Sequence, residues 1–285
     1  MKNLLYSSLL ISLLFLSCTD NDDNVKNDTD TVVRPDNVEL ESLPKDTGGL
    51  QKANILGNTS AVYGHYIYTP SNYDNSSSSY PLLIFLHGSG QRGNSQENPD
   101  ELKKVIGTGP PRMIEQNKWS PKYPMIVASP QLTSGNWNAD DVHDFIKYIV
   151  NNYNINTDRI YMTGYSLGAF GCFNYISTYG ANAYAAAIVP IAGGGNNNSG
   201  NKYTSIPVWA FHGDSDKTVL KNGSIDMVNA INAANPNTKA KLTLYPGVGH
   251  DSDTRTFDGT GMGTESSDYD VFNMSIYEWM FMFEK

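Results

Sequence analysis

The pentapeptide Gly164-Tyr165-Ser166-Leu167-Gly168 limits what this chain can fold into more than any other stretch. Residues 159–163 ahead of it mix β-branched, aromatic and apolar side chains and predict a buried strand. Residues 169–178 behind it carry small and apolar side chains, suited to a helix packed closely on a sheet. Between the two, the glycines let the backbone reverse in a turn that most side chains would block. A serine at the apex of such a turn stands above the sheet. The N-terminus of the following helix lies beneath it, where developing negative charge is favoured. An ordinary glycine turn would read the same over five residues; the strand before and the helix after are what set this one apart.

The rest of the chain supplies more strands and helices in alternation. Residues 62–69 alternate apolar and polar side chains as an early strand, and residues 71–79 are a polar loop. Residues 81–86 form a continuous apolar run, the expected central strand. Residues 110–117 predict a short helix, and residues 125–129 another buried strand that Pro130-Gln131 ends. Residues 140–153 are amphipathic, with Val142, Phe145, Ile146, Ile149 and Val150 on one face. Further strands are expected at 185–191, 207–212 and 241–245, with a helix between Gly223 and Asn235 and a closing helix over 275–285. Strands alternating with helices throughout imply an α/β fold: one mostly parallel sheet covered by helices on both faces. No internal repeat or second domain is evident, and 285 residues suffice for one α/β domain with a large core.

Strand, G-x-S-x-G and helix in that order resemble the nucleophile elbow of the α/β-hydrolases. A nucleophilic serine needs a base to take its proton and a carboxylate to orient that base. In that fold the three follow the chain order Ser, acid, His. Five histidines are available. His65 falls in the early strand, His87 at the end of the 81–86 strand, and His143 on the polar face of the 140–153 helix, where it is expected to be solvated. His212 leads the segment Phe211-His212-Gly213-Asp214-Ser215-Asp216. His250 sits in Gly247-Val248-Gly249-His250-Asp251, directly after the last strand, where the base belongs. The acid should follow the 207–212 strand, and there Asp214 and Asp216 compete. The spacing H-G-x-x-D-x-x-V selects Asp216, with Asp214 left to satisfy backbone N–H groups of the turn. The same resemblance implies an oxyanion hole made by the N–H groups of Ser89, in His87-Gly88-Ser89-Gly90, and Leu167, with His87 holding the turn.

The likeness goes further. Residues 81–93, 109–114, 126–131, 158–171, 208–219 and 244–251 resemble secreted esterases often called predicted peptidases, relatives of feruloyl esterases and polyhydroxybutyrate depolymerases. It runs from about residue 62 to the C-terminus. It implies ester hydrolysis through an acyl-enzyme, with Ser166, Asp216 and His250 in the usual roles and no metal or organic cofactor. The substrate it implies is a small-molecule or oligosaccharide ester, of feruloyl or acetyl type on a plant polysaccharide fragment, or a related aryl ester. A serine peptidase would use the same triad. A non-catalytic carbohydrate-binding surface protein is the other rival, and the presence of all three triad residues argues against it. Trp137, in Gly135-Asn136-Trp137-Asn138 beyond a strand end, is placed either to stack on a sugar or aromatic acyl group or to pack half-buried. Residues 251–270 carry six acids and a single base, Arg255. They are expected as part of the substrate rim, with Phe257 or Tyr269 touching ligand, or as an insertion trailing into solvent. Asp253 stands where such proteins often carry Trp shortly after the His-Asp pair.

The N-terminus reads as a processing signal. Lys2 precedes an apolar run over residues 4–16, too short for a comfortable membrane span. Leu14-Phe15-Leu16-Ser17-Cys18 then resembles a bacterial lipoprotein box, with Cys18 as the lipidated residue; a plain secretion signal is the alternative. Residues 19–46 hold nine acids and three bases, a net of −6 within a chain total of −9. With few large apolar groups they cannot offset the entropy of ordering, so residues 19–47 are expected as a flexible acidic tether and residues 48–285 as the single catalytic domain. An acidic stretch after a lipidated cysteine also resembles the surface-export signals of lipoproteins in Bacteroidetes-type bacteria, so the expected location is the outer membrane or cell surface of a Gram-negative bacterium. Membrane contact is expected only through that anchor. No basic stripe is present, which argues against nucleic acid as a partner. Cys172, the other cysteine, is expected as a small buried hydrophobe on the helix after Ser166.

Overall fold

A computed structural model describes residues 38–75 and 77–285 of the chain. Cys18, the apolar run before it and most of the acidic stretch lie outside those residues. The sheet comprises β1 (Leu50–Asn54), β2 (Gly64–Thr69), β3 (Tyr80–Leu86), β4 (Ile126–Gln131), β5 (Ile155–Tyr165), β6 (Ala187–Ile191), β7 (Trp209–Gly213) and β8 (Lys241–Tyr245). Their spatial order is β1-β2-β4-β3-β5-β6-β7-β8. β2 pairs antiparallel with β1 and β4, and every pairing from β4 through to β8 is parallel. All residues of β3, β4, β6 and β7 are buried, as strands covered on both faces must be. β1 was not anticipated: Leu-Gln-Lys-Ala-Asn is an exposed edge strand with no apolar alternation to announce it. Pro130 lies inside β4 rather than after it, opposite His65 of β2 and beyond Ala128, the last residue of β4 in register with β3.

The helices are α1 (Val38–Glu41), α2 (Gly109–Glu115), α3 (Ala139–Asn152), α4 (Leu167–Tyr179), α5 (Asn222–Ala233), α6 (Ser252–Phe257) and α7 (Ile276–Met280). Asn138 caps α3, its Oδ1 accepting from the N–H groups of Asp140 (2.8 Å) and Asp141 (3.1 Å). Val142, Phe145, Ile146 and Ile149 of α3 are buried, while Val150 lies at the margin of that stripe. His143 is not simply solvated. Its ring stacks on Tyr179 of α4 at 4.2 Å and 3°, and its Nδ1 lies 3.2 Å from the Tyr175 hydroxyl.

Helix α4 lies close against the sheet at its glycines. A Cβ on Gly168 would fall 1.8 Å from the Leu86 carbonyl oxygen of β3, and one on Gly164 would fall 2.4 Å from the Gly168 oxygen. Any side chain at either position collides with backbone, so both glycines of the pentapeptide are required by contact. Cys172, deeper in α4, is fully buried, and burial pushes its thiol pKa up.

Two expectations about the chain ends change. The folded region reaches back to Val38: Leu40 and Leu43 are buried, and the Asp46 carboxylate accepts from the Tyr68 hydroxyl (2.7 Å) and the Ser71 N–H (3.0 Å). Residues 38–47 therefore pack on the domain instead of belonging to a tether. The closing helix spans only Ile276–Met280, started by a Ser275–Glu278 capping box. Beyond it, Arg159 and Tyr161 of β5 donate to the carbonyls of Phe281 (3.3 Å) and Phe283 (2.9 Å), which competes with continued helix.

Residues 251–270 do not trail into solvent. After α6 they turn back along β8. Ser266 N–H donates to the Leu244 carbonyl, Asp270 N–H donates to the Leu242 carbonyl, and the Asp270 carboxylate accepts from Leu242 N–H, each at 2.8 Å. The segment covers the open edge of the last strand, which would otherwise present unpaired N–H and C=O groups. All described residues fall in one compact unit.

Candidate active site

Ser166 sits between β5 and α4 with φ 54° and ψ −117°, a conformation few non-glycine residues adopt. The strain is held from both sides. Its N–H donates to the Ile191 carbonyl of β6 (2.9 Å), and its own carbonyl accepts from Ala169 (2.9 Å) and Phe170 (3.2 Å). The backbone is fixed before the side chain does anything.

The loops after β7 and β8 are joined to each other. Asp214 N–H donates to the Tyr245 carbonyl and Ser215 N–H to the Val248 carbonyl, both at 3.0 Å. Asp214 Oδ1 accepts from Gly247 N–H at 2.7 Å. A Cβ on Gly213 would fall 2.2 Å from the Gly249 oxygen, so only glycine lets the loops approach this closely. The result is that Asp216 and His250 meet. His250 Nδ1 lies 2.7 Å from Asp216 Oδ2, and His250 Nε2 lies 2.9 Å from Ser166 Oγ. Serine, imidazole and carboxylate form one continuous hydrogen-bonded chain. Asp214 does not touch it; that carboxylate serves the turn and accepts from the Ser215 hydroxyl as well (2.8 Å).

Burial by itself would push the Asp216 pKa up. Hydrogen bonds from His250 and from the N–H groups of Val219 (3.0 Å) and Thr218 (2.8 Å) outweigh it and hold the carboxyl below its ordinary value. Asp216 is thus ionised and fully engaged, with Oδ1 on the backbone and Oδ2 toward His250.

His87 supports the turn beside Ser166. Its Nε2 accepts from Leu132 N–H (3.0 Å), so Nδ1 carries the hydrogen and donates to the Gly88 carbonyl (2.6 Å). Burial lowers its pKa to about 4, which keeps it neutral with that tautomer. Gly88 next to it packs on the serine: a Cβ there would lie 3.5 Å from Ser166 Cβ. Ser89 opens a 3-10 turn (Ser89–Gln91) and Leu167 opens α4, so the N–H of each has no acceptor within its own turn.

Of the three aromatic residues expected to touch substrate, Trp137 and Phe257 are buried in packing, although Trp137 also lines a groove beside α4. Trp137 is 3% exposed. Its indole N–H donates to the His87 carbonyl (3.2 Å), and its ring meets His87 and Tyr63 edge-on at 5.0 and 5.4 Å. It buttresses the turn. Phe257 is likewise 3% exposed, against Phe85 at 5.7 Å. Tyr269 is 38% exposed but belongs to the segment running back along β8, away from His250.

Two residues in contact with the chain of three had been assigned nothing. The Tyr165 hydroxyl donates to the His250 carbonyl (2.7 Å) and so clamps the histidine loop. His212 Nε2 lies 3.3 Å from Asp216 Oδ2 and 2.9 Å from the Val219 carbonyl. Their places in the motifs were the available signal: Tyr165 directly precedes Ser166, and His212 precedes Asp216 by four. Asp253, at the position where Trp was the expectation, is buried and accepts from the Thr108 hydroxyl (2.8 Å). Among the described residues, no group of three or more His, Cys, Asp or Glu side chains is arranged to hold a metal ion.

The Dienelactone hydrolase family profile matches residues 130–259. A bifunctional acetylxylan esterase/xylanase from Neocallimastix patriciarum is 27% identical over 53% of this chain and 21% of its own length. A probable acetylxylan esterase A from Aspergillus clavatus is 24% identical over 72% of this chain and 61% of its own. The chain thus spans less than two thirds of the curated relatives it matches. Among solved structures, a thermostable esterase superposes with a TM-score of 0.59 at 23% identity, over 83% of this chain and 63% of that one. The strand order, the elbow between β5 and α4 and these matches agree on one architecture: the chain has the α/β-hydrolase fold.

Proposed function

We propose that the protein is a serine carboxylic-ester hydrolase acting through an acyl-enzyme. The observation that carries this reading is the unbroken chain from Ser166 Oγ through His250 to the ionised Asp216, built on a strained elbow. In this reading Ser166 Oγ attacks the ester carbonyl carbon while His250 Nε2 takes its proton. Asp216 holds Nδ1–H and stabilises the imidazolium. The N–H groups of Ser89 and Leu167 donate to the oxyanion. His250 returns the proton to the departing alcohol, leaving the acyl group on Ser166. Water, activated by the same imidazole, then releases the acid and restores the serine.

For substrate, the reading takes an acetyl or feruloyl-type ester on a polysaccharide fragment, supported by the acetylxylan esterases among the relatives. The test is parallel assay on p-nitrophenyl acetate and on a peptide p-nitroanilide, with fluorophosphonate labelling. Ester turnover with labelling at Ser166 is expected. Faster cleavage of the amide points to the peptidase alternative, and no labelling overturns the serine mechanism.

The chain is further proposed to be a surface lipoprotein anchored through Cys18, on the strength of Leu16-Ser17-Cys18 after a short apolar run. Cys18→Ser should move the protein from the membrane fraction to the soluble one, because a single residue carries the lipid. Unchanged fractionation would refute the anchor.

A further inference from the structure

The catalytic chain of three accounts for an acyl group and an oxyanion but not for the groove beside it. A groove of about 740 Å³ runs along the outer face of α4, beginning at Leu167, the residue after Ser166. Leu167, Phe170, Asn174 and Thr178 recur at helical spacing along its floor, and Asn136 and Asn196 enter from the loops on either side. From Leu167 to Thr178 the helix rises roughly 16 Å, at about 1.5 Å per residue. The groove therefore extends along α4 from the residue next to the reacting serine.

Its chemistry is selective. No Asp, Glu, Lys, Arg or His lines it, so an anionic or cationic ligand would find no counter-charge. A wholly apolar ligand would bury the three asparagine amides without partners, which is costly. The amides are half used. Asn174 spends its Nδ2 on the Trp137 carbonyl (3.3 Å), leaving its oxygen as an acceptor. Asn196 spends its Oδ1 on the Asn198 N–H (3.1 Å), leaving its NH₂ as a donor. A hydroxyl both donates and accepts and can engage either. Among these polar groups stands Phe170, an aromatic ring left 40% exposed on a helix that buries Phe173, Tyr175 and Ile176. An exposed ring among amides, with Leu167 and Trp137 in the same lining, suits a ligand that is polar at its edges and apolar on its face.

We infer that this groove is a subsite for a neutral oligosaccharide, the alcohol side of the ester, with Phe170 as the platform for a sugar ring and Asn174 and Asn196 bonding its hydroxyls. The inference deepens the ester-hydrolase reading and rests on it only for which end of the substrate lies there.

Calorimetric titration of xylotetraose, which has no ester, into the whole protein tests the site without any turnover. Saturable binding is expected in the wild type, weakened about tenfold by Phe170→Ala, a loss of about 1.4 kcal/mol. Asn174→Ala should weaken it as well, and circular dichroism melts check that both variants are folded. No saturable binding, or equal binding by Phe170→Ala, overturns the subsite. Kinetics form the second arm: the ratio of kcat/KM for acetylated xylotetraose to that for p-nitrophenyl acetate should fall about tenfold in Phe170→Ala, through KM. An unchanged ratio in an active enzyme sinks the subsite alone. Xylotetraose binding without any ester turnover would instead sink the hydrolase reading and leave the subsite standing.

Discussion

Replacing Ser166 by alanine should lower kcat on p-nitrophenyl acetate by a factor on the order of 10⁴ or more. The variant removes one atom, Oγ, whose partner is His250 Nε2 at 2.9 Å. Everything that positions that atom belongs to the backbone: the φ of 54°, the N–H bonded to Ile191 and the carbonyl bonded to Ala169 and Phe170. Alanine meets the same backbone strain as serine, so the melting temperature should change little. A large loss of rate with a near-native melt is the signature of a missing nucleophile. Turnover within tenfold of wild type would sink the mechanism, because among the described residues no other hydroxyl is bonded to the His250 ring.

The second large effect separates two neighbouring carboxylates. Asp216→Asn should cost a factor on the order of 10⁴ in kcat, and Asp214→Asn less than about tenfold. The argument turns on which oxygen does what. Oδ1 of Asp216 accepts two backbone N–H groups, from Thr218 and Val219, whereas Oδ2 faces His250 Nδ1. An asparagine must keep its single oxygen on the two backbone donors, which turns its NH₂ toward the imidazole. Nδ1 then becomes an acceptor, the hydrogen moves to Nε2, and Nε2 can no longer take a proton from Ser166. At Asp214 a single oxygen, Oδ1, already serves both Gly247 N–H and the Ser215 hydroxyl, so an amide oxygen can replace it. The comparison needs steady-state kinetics on both purified variants. If Asp214→Asn proves the more damaged, the assignment of the acid is wrong.

His250, Ser166 and Asp216 were legible from the chain because each belongs to a short motif whose backbone demands are local. Gly164 and Gly168 are needed by a turn and by contact with Leu86, and Gly213 by the approach of the loop that carries His250. Such demands leave fixed letters at fixed spacings. The alternation of strands and helices was legible for a similar reason, since runs such as Tyr80–Leu86 are apolar at every position only when both faces are covered.

The burial of Trp137 and Phe257 was not legible, because burial is decided by residues far away in sequence. Trp137 lies against the His87 turn, fifty residues earlier in the chain, whose carbonyl takes its N–H. Phe257 is claimed by Phe85. Nothing in an isolated stretch of acids and glycines says that Ser266 and Asp270 will bond to β8, because the need for cover arises from the open sheet edge and not from the stretch itself. The exposure of Phe170 is of the same kind. Its helix pattern alone would have placed it among buried neighbours. The sequence by itself thus determined the α/β fold class and the three residues whose motifs carry their own geometry. The tertiary structure alone decided which aromatic rings are packed, which loop covers the sheet edge and which face of α4 stays open. Those outcomes depend on contacts between segments that no local pattern encodes.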